Sequence, residues 1–269
     1  MIKKAIIPAA GYGTRSLPIS KVVPKELFPI GNRPAIDYIV EEAIQSGIEE
    51  ILIIVSRSKN LIFDYFDRSI ELETVLKQKQ KEHLLDKIKV PDVHIQYIRQ
   101  PFASGLGDAI RLGKKFIHNE AFAVLLPDEI ILNQMKPALK QLIEVYKNYK
   151  KSVLGLYEVK KDQLSNYGVV KPIKVEHELF KVAHIVEKPT HHPPSNLAVI
   201  GRYIFTPQIF SYLEEISSGV DGEIQLTDAI NELRKTETCF GKLITAKRFD
   251  IGRKEEYLKA ITYLNDIEE

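Results

Sequence analysis

A chain of 269 residues with 44% hydrophobic side chains has material for one large α/β domain or two small ones. Its 38 basic residues stand against 36 acidic ones, a formal net charge of +2, which excludes a surface built as a whole for nucleic acid or another polyanion. The single cysteine, Cys239, excludes an internal disulfide and fits a reducing compartment.

The first residues carry two lysines and then only a short apolar run, too short for a signal-peptide core or a membrane helix. A soluble, cytoplasmic protein without a membrane partner is therefore expected. Ala5–Ile7 is the first predicted strand, and it feeds the glycine-rich turn of "PAAGYGTRSLP". Pro34–Ser46 carries Ile36, Ile39, Val40, Ala43 and Ile44 at helical spacing and stops at Gly47. Glu50–Ser56 reads as a second, buried strand and His94–Arg99 as a third, with a helix beginning near Gly107. Between them, 69–90 has an incomplete stripe (Leu72, Val75, Leu76, Leu84, Leu85, Ile88) in a lysine- and glutamate-rich background. That stripe suits a solvated surface helix, or else a lid or subunit contact. Ala121–Leu126 is a fourth strand and ends at Pro127, Asp128 and Glu129.

Strands alternating with helices predict an α/β fold with a Rossmann-like, mixed but mostly parallel sheet flanked by helices. Further strands are expected in "SVLGLYEV", "YGVVKPI", "FKVAHIVEKP" and "NLAVIGRYIF", then helices over Pro207–Ile216 and Glu223–Arg234. Phe240–Phe249 reads as one last strand, followed by a helix at Glu255–Leu264. With no linker composition and no repeat, one domain over 1–269 is the simplest organisation, with a helical insertion at about 68–90.

The glycine turn fits neither a dinucleotide fingerprint, which would need glycine at Ser16, nor a P-loop, which would end in Gly-Lys-Ser/Thr. Ala9, Ala10, Gly11 and Gly13 nevertheless let backbone N–H groups approach a phosphate. Arg15 can grip phosphate with two parallel hydrogen bonds, and Lys25 adds a movable point charge. Asp128, at a strand end, suits Mg²⁺, which keeps several waters and needs only one or two protein carboxylates. Asp250 in "RFDIG" is similarly placed. Glu187 and Lys188 form an acid–base pair fit for a polyol hydroxyl and a phosphate, or equally an ordinary surface ion pair. His191 and His192 read as a solvated loop. With no nucleophile elbow and no zinc-protease motif, phosphoryl-type transfer is the chemistry these residues suit.

These stretches closely resemble the bacterial UTP–glucose-1-phosphate uridylyltransferases, the UDP-glucose pyrophosphorylases. The resemblance runs through "PAAGYGTRSLP", "PKELFP", "FDRSIELETVL", "RQPFASGLGDA", "LPDEI", "YGVV", "VEKP", "PSNLAVIGRY", "GEIQLTDAI" and "FDIG". It implies Mg²⁺-assisted, in-line transfer of a uridylyl group from UTP to glucose 1-phosphate, giving UDP-glucose and pyrophosphate with no covalent enzyme intermediate. By motif, Ala9, Ala10, Gly11, Gly13, Glu26, Gln100 and Gly105 would bind the nucleotide, with Gln100 and Gly105 near the uracil. Arg15 would face the departing pyrophosphate and Lys25 the nucleotide phosphates. Asp128 and Asp250 would bind the metal. A sugar-binding elaboration at about 152–206 would supply Gly168, Glu187, Lys188 and Gly201, with Lys188 on the sugar phosphate. A homodimer is the implied assembly. Two residues depart from the pattern: Ser104 stands where many relatives have lysine, and Ile251 where a cysteine often follows the last aspartate. A thymidylyltransferase, or a non-catalytic paralogue that binds UDP-sugar, are the competing expectations.

Overall fold

The computed structural model describes residues 1–132, 135–216 and 222–268. The chain opens with β1 (Lys4–Ala9), passes through short 3₁₀ turns, and forms a small ribbon of β2 (Pro29–Ile30) and β3 (Arg33–Pro34) before helix α1 (Ala35–Gln45). There follow β4 (Glu50–Val55), α2 (Asn60–Phe66), α3 (Ile70–Gln78), β5 (His94–Arg99), α4 (Leu106–Leu112), α5 (Lys114–Ile117) and β6 (Phe122–Leu125). The middle of the chain supplies β7 (Glu129–Leu132), α6 (Ala138–Tyr149), β8 (Val153–Glu158), β9 (Gly168–Glu176), β10 (Leu179–Glu187) and β11 (Leu197–Phe205). Last come α7 (Ile209–Glu215), α8 (Leu226–Thr236), β12 (Phe240–Leu243), β13 (Lys247–Asp250) and α9 (Lys254–Glu268).

Nine strands make one mixed sheet in the order β5-β4-β1-β6-β11-β8-β12-β10-β9. Parallel pairing joins β5, β4, β1 and β6, and again β8 and β12. Strands β11 and β10 run antiparallel to their neighbours, so the parallel share is smaller than the mostly parallel sheet expected.

Strands β1, β4 and β6 are buried on both faces, which is why they read as continuous apolar runs, whereas the edge strand β5 leaves His94, Gln96 and Arg99 exposed. In β1, Ala5, Ile7 and Ala9 enter one core layer with Ile51, Ile53 and Val55 of β4, while Ile6 enters the other with Leu52 and Ile54. Helix α1 presents Ile36, Ile39, Val40 and Ala43 to the first layer, each fully or almost fully buried. A buried side chain of this kind contributes roughly 1.5–3 kcal/mol. The helix stops in a Schellman motif: Ile48 N–H donates to Ala43 O at 3.1 Å and Gly47 N–H to Ile44 O at 2.9 Å. Among the described residues no helix is long and apolar enough to cross a membrane.

Two expectations are corrected. The stripe over 69–90 is not one helix. α3 ends where Gln80 takes a positive φ of 53° and Lys81 N–H turns back to Leu76 O at 2.8 Å, and 3₁₀ turns over Glu82–Ile88 follow. Within α3 only Leu76 is buried. Nor is Phe240–Phe249 one strand. β12 pairs with β8 and β10 in the large sheet, then the chain leaves it, and β13 pairs antiparallel with β7 in a separate ribbon. That ribbon places Asp250 directly opposite Glu129.

Candidate active site

The carboxyl ends of β1, β5 and β6 converge, the usual place for a ligand in an open α/β sheet. A cavity of about 270 Å³ opens there, lined by Ala10, Gly11, Lys25, Glu26, Gln100 and Gly105, with Asp128 at its edge. Ala9 does not line it. As the last residue of β1 its side chain is spent in the core. Gly13 also stands off the cavity and instead organises the turn, its carbonyl accepting Ser16 N–H at 2.9 Å and Ser20 Oγ at 2.7 Å.

Gln100 is buried, and its Nε2 donates to Asp108 Oδ2 at 2.7 Å, which holds the amide at the cavity wall. Glu26 is also buried. Its Oε2 accepts Lys59 Nζ at 2.6 Å, while its Oε1 has no protein partner among the described residues. Lys59 is a component that sequence reading missed, because "SRSKN" has the composition of an ordinary loop.

A second cavity, of about 280 Å³, lies between the last strands and α8, lined by Arg15, Gly168, Glu187, Lys188, Gly201 and Asp250 among others. The two cavities share Leu106, Leu126, Asp128 and Glu223, so they adjoin at Asp128. Glu187 closes β10, and Lys188 follows in a left-handed conformation (φ 43°), its N–H donating to Tyr167 O at 3.0 Å. Strand alternation would send these neighbours to opposite faces. The kink lets both line the same cavity, with their charged ends 3.5 Å apart. Glu223, Thr227 and Tyr167 complete the walls; "GEIQLTDAI" and "YGVV" carried them, but no residue type there signalled a role.

Between the cavities sits an acidic pair. The position where a side chain on Gly252 would begin lies 3.0 Å from Asp250 Oδ1, 3.4 Å from Asp128 Oδ2 and 3.8 Å from Arg15 Nη1. Asp128 accepts Lys25 Nζ at 2.5 Å. Burial alone would raise the Asp128 carboxyl, but Lys25 and Arg15 hold it below its ordinary 3.8. Burial likewise opposes the charge on Lys25, and Asp128 and Glu26 more than offset it, holding the ammonium above 10.5. Asp250 fares differently: burial, then the facing Asp128, pushes its carboxyl up. Tyr167 donates its hydroxyl to Asp250 Oδ2 at 3.2 Å. Behind them Arg248 forks onto Glu129 at 2.6 and 2.5 Å and lies 4.6 Å over the Tyr167 ring.

Two facing carboxylates with hard oxygen donors, one of them short of positive charge, fit a divalent cation that draws its other ligands from water and a bound phosphate. No cluster of three or more metal-ligating side chains occurs among the described residues. Asp128 and Asp250 could hold such a cation. His191 and His192 are exposed in their loop, away from either cavity lining.

Comparison with known proteins identifies the family. The nucleotidyl transferase family model matches residues 4–267. The chain is 54% identical to a Bacillus subtilis (strain 168) protein provisionally named UTP–glucose-1-phosphate uridylyltransferase, over 97% of this chain and 96% of that one. It is 46% identical to a B. subtilis (strain 168) protein named UTP–glucose-1-phosphate uridylyltransferase without that qualification, over 94% of this chain and 87% of the relative. Among solved structures, an apo UDP-glucose pyrophosphorylase superposes with a TM-score of 0.94 at 41% identity and full coverage of both chains. A UDP-glucose pyrophosphorylase complexed with UDP-glucose gives a TM-score of 0.89 at 41% identity, covering 99% of each chain.

Proposed function

Because the chain belongs to the nucleotidyl transferase family, we propose that it moves the uridylyl group of UTP onto glucose 1-phosphate, yielding UDP-glucose and pyrophosphate. The observation that carries this reading is the junction of two cavities at Asp128, one walled by Lys25, Glu26, Gln100 and Gly105, the other by Glu187 and Lys188. The uridine half of UTP occupies the first, and glucose 1-phosphate the second. Their phosphates then meet beside Asp128, Lys25 and Arg15.

In the reaction, a phosphate oxygen of glucose 1-phosphate forms a bond to the α-phosphorus as the bond to the β-phosphate oxygen breaks, and pyrophosphate leaves opposite the nucleophile. A phosphate monoester with a second pKa of ~6 is already largely ionised at neutral pH, so no general base has to act. What the protein contributes is position and charge. Lys188 binds the sugar phosphate and aims it across the junction. Glu187 accepts hydrogen bonds from glucose hydroxyls, and Gly168 and Gly201 leave room for the ring. Lys25 holds the nucleotide phosphates, and Arg15 receives the charge that builds on the leaving pyrophosphate. Asp128 and Asp250 would hold Mg²⁺, which would neutralise the crowded phosphate oxygens. The working assembly is a homodimer in the cytoplasm.

The test is pyrophosphate release by the purified chain with glucose 1-phosphate, comparing UTP with dTTP and omitting Mg²⁺ in a control. Metal-dependent release preferring UTP is expected. Preference for dTTP would move the chain to the thymidylyl branch, and tight UDP-glucose binding without release would make it a non-catalytic paralogue.

A further inference from the structure

Arg202 is the largest fully buried side chain described, with 0% exposure, and it lines neither cavity. It sits in β11, where the ladder to β8 slips between Val199 and Tyr203. All of its donors are used. Nε donates to both oxygens of Glu42 at 3.1 Å, and Nη2 donates to Glu42 Oε2 at 2.7 Å. Nη2 also donates to Glu129 O at 2.8 Å, and Nη1 to Leu126 O at 3.3 Å and Gly201 O at 3.1 Å. Glu42, on α1, accepts in addition the backbone N–H of Leu139 on α6 at 2.9 Å.

Two of those acceptors, Leu126 O and Glu129 O, bracket Asp128. The same loop is pinned from below: Leu126 N–H donates to Gly201 O at 2.8 Å. Gly201 has a φ of +56°, and a Cβ there would lie 2.8 Å from Leu126 Cβ, so the loop rests directly on the β11 backbone. One guanidinium therefore fixes the backbone on both sides of Asp128 to β11, and through Glu42 to α1 and α6. Stability alone is a poor reason for this arrangement, since an apolar pair of similar volume commonly replaces a buried ion pair at no loss or with a gain. What an apolar pair cannot do is hold two carbonyls at a set separation.

We propose that Arg202 and Glu42 are positioning residues for the metal–phosphate junction: the pair fixes the loop that carries Asp128, and so the distance between Asp128 and Asp250. This rests on the metal assignment made under the proposed function. Groups standing behind a metal ligand are typically worth ten- to hundredfold in metal affinity or activity.

The test uses the full chain and three variants: Arg202→Lys, which keeps the charge but not the fork, Glu42→Gln, which keeps the shape and an acceptor for Leu139, and the apolar double variant Glu42→Leu/Arg202→Met. Mn²⁺ affinity is read by electron paramagnetic resonance with the α,β-methylene analogue of UTP present, and glucose 1-phosphate affinity by calorimetry. In every variant with a wild-type circular dichroism spectrum, Mn²⁺ binding should weaken by about tenfold or more, while glucose 1-phosphate binding stays within about twofold of wild type, since the groups given the sugar and its phosphate, Glu187 and Lys188, stand on β10 and its end, where neither Arg202 nor Glu42 reaches. Wild-type Mn²⁺ affinity in a folded variant would overturn the proposal. Equal losses for metal and sugar phosphate would also overturn it, because that is what general loosening produces. If the milder variants alone fold, they decide. Pyrophosphate release by the wild-type chain is measured in parallel: its absence would reject the functional reading, whereas the Mn²⁺ comparison judges the positioning role separately.

Discussion

Replacing Gly105 by alanine tests the nucleotide side of the site. Gly105 precedes α4 with φ 99° and ψ 169°, a region that is essentially glycine-only and costs a side-chain-bearing residue about 1–3 kcal/mol. A Cβ there would lie 2.7 Å from Ile224 O and 2.9 Å from Ile224 N, both backbone atoms. Neither can yield freely, because Ile224 N–H donates to Ser104 O at 2.8 Å and Ile224 O accepts Gly107 N–H at 2.9 Å. Relieving the clash means stretching both bonds, at about 1 kcal/mol each. The total is about 3–5 kcal/mol, enough to lower the melting temperature by on the order of 10 °C. The displaced loop also carries the cavity wall next to Gln100, so the KM for UTP should rise by about tenfold, the equivalent of ~1.4 kcal/mol, with the KM for glucose 1-phosphate much less affected. Differential scanning calorimetry and initial rates with each substrate varied would show both. A variant that melts like wild type and keeps its UTP KM would refute the reasoning.

Asp128→Ala should leave the circular dichroism spectrum intact and cut Mg²⁺-dependent turnover by on the order of a thousandfold, the scale of losing one preorganised charge contact; near-normal rates would reject the metal assignment. Lys188→Ala removes a charge-assisted contact of about 1.5–3 kcal/mol, so the KM for glucose 1-phosphate should climb roughly ten- to hundredfold, and an effect confined to UTP would contradict its role. Burial, then Glu237, pushes the Cys239 thiol from 9.0 up to about 12, so a thiol reagent at mildly alkaline pH should label it only after denaturation; fast labelling of the native chain would refute that. The sign for stability follows: above pH 9 the unfolded chain sheds this proton while the folded chain keeps it. Stability should therefore fall by up to ~1.4 kcal/mol per pH unit until about pH 12. Cys239→Ala should lack that slope in urea melts, and equal slopes in both proteins would count against it.

Strands β4 and β6 were legible because a strand buried on both faces must be apolar almost throughout, and α1 because its apolar spacing and its stop at Gly47 agree. Asp128 and Asp250 stood out as carboxylates at strand ends, but that they meet shows only in the fold, where β7 pairs with β13 and Ile251 N–H donates to Asp128 O at 2.9 Å. That same pairing explains the misread final strand: Phe240–Phe249 is apolar enough to be continuous, and nothing local announces that its two ends belong to different sheets. Lys59, Tyr167, Arg202 and Arg248 were invisible for a related reason. Each is an ordinary residue in its own segment, and its importance comes from partners that are distant in sequence: Glu26, Asp250, Glu42 and Glu129.

The ribbon of β7 and β13 also bears on how the protein is made. A ribosome releases the chain from its N-terminus, so β1, β4, β5 and β6 emerge, with most of the nucleotide-side wall, well before Asp250. The partner carboxylate arrives only with β13, a short way before α9. Until then a nascent chain has Asp128 but no second acid to face it, and substrate has no completed junction to recognise. If nucleotide and metal bind as proposed, they would stabilise the finished protein by mass action without serving as a template for its early folding.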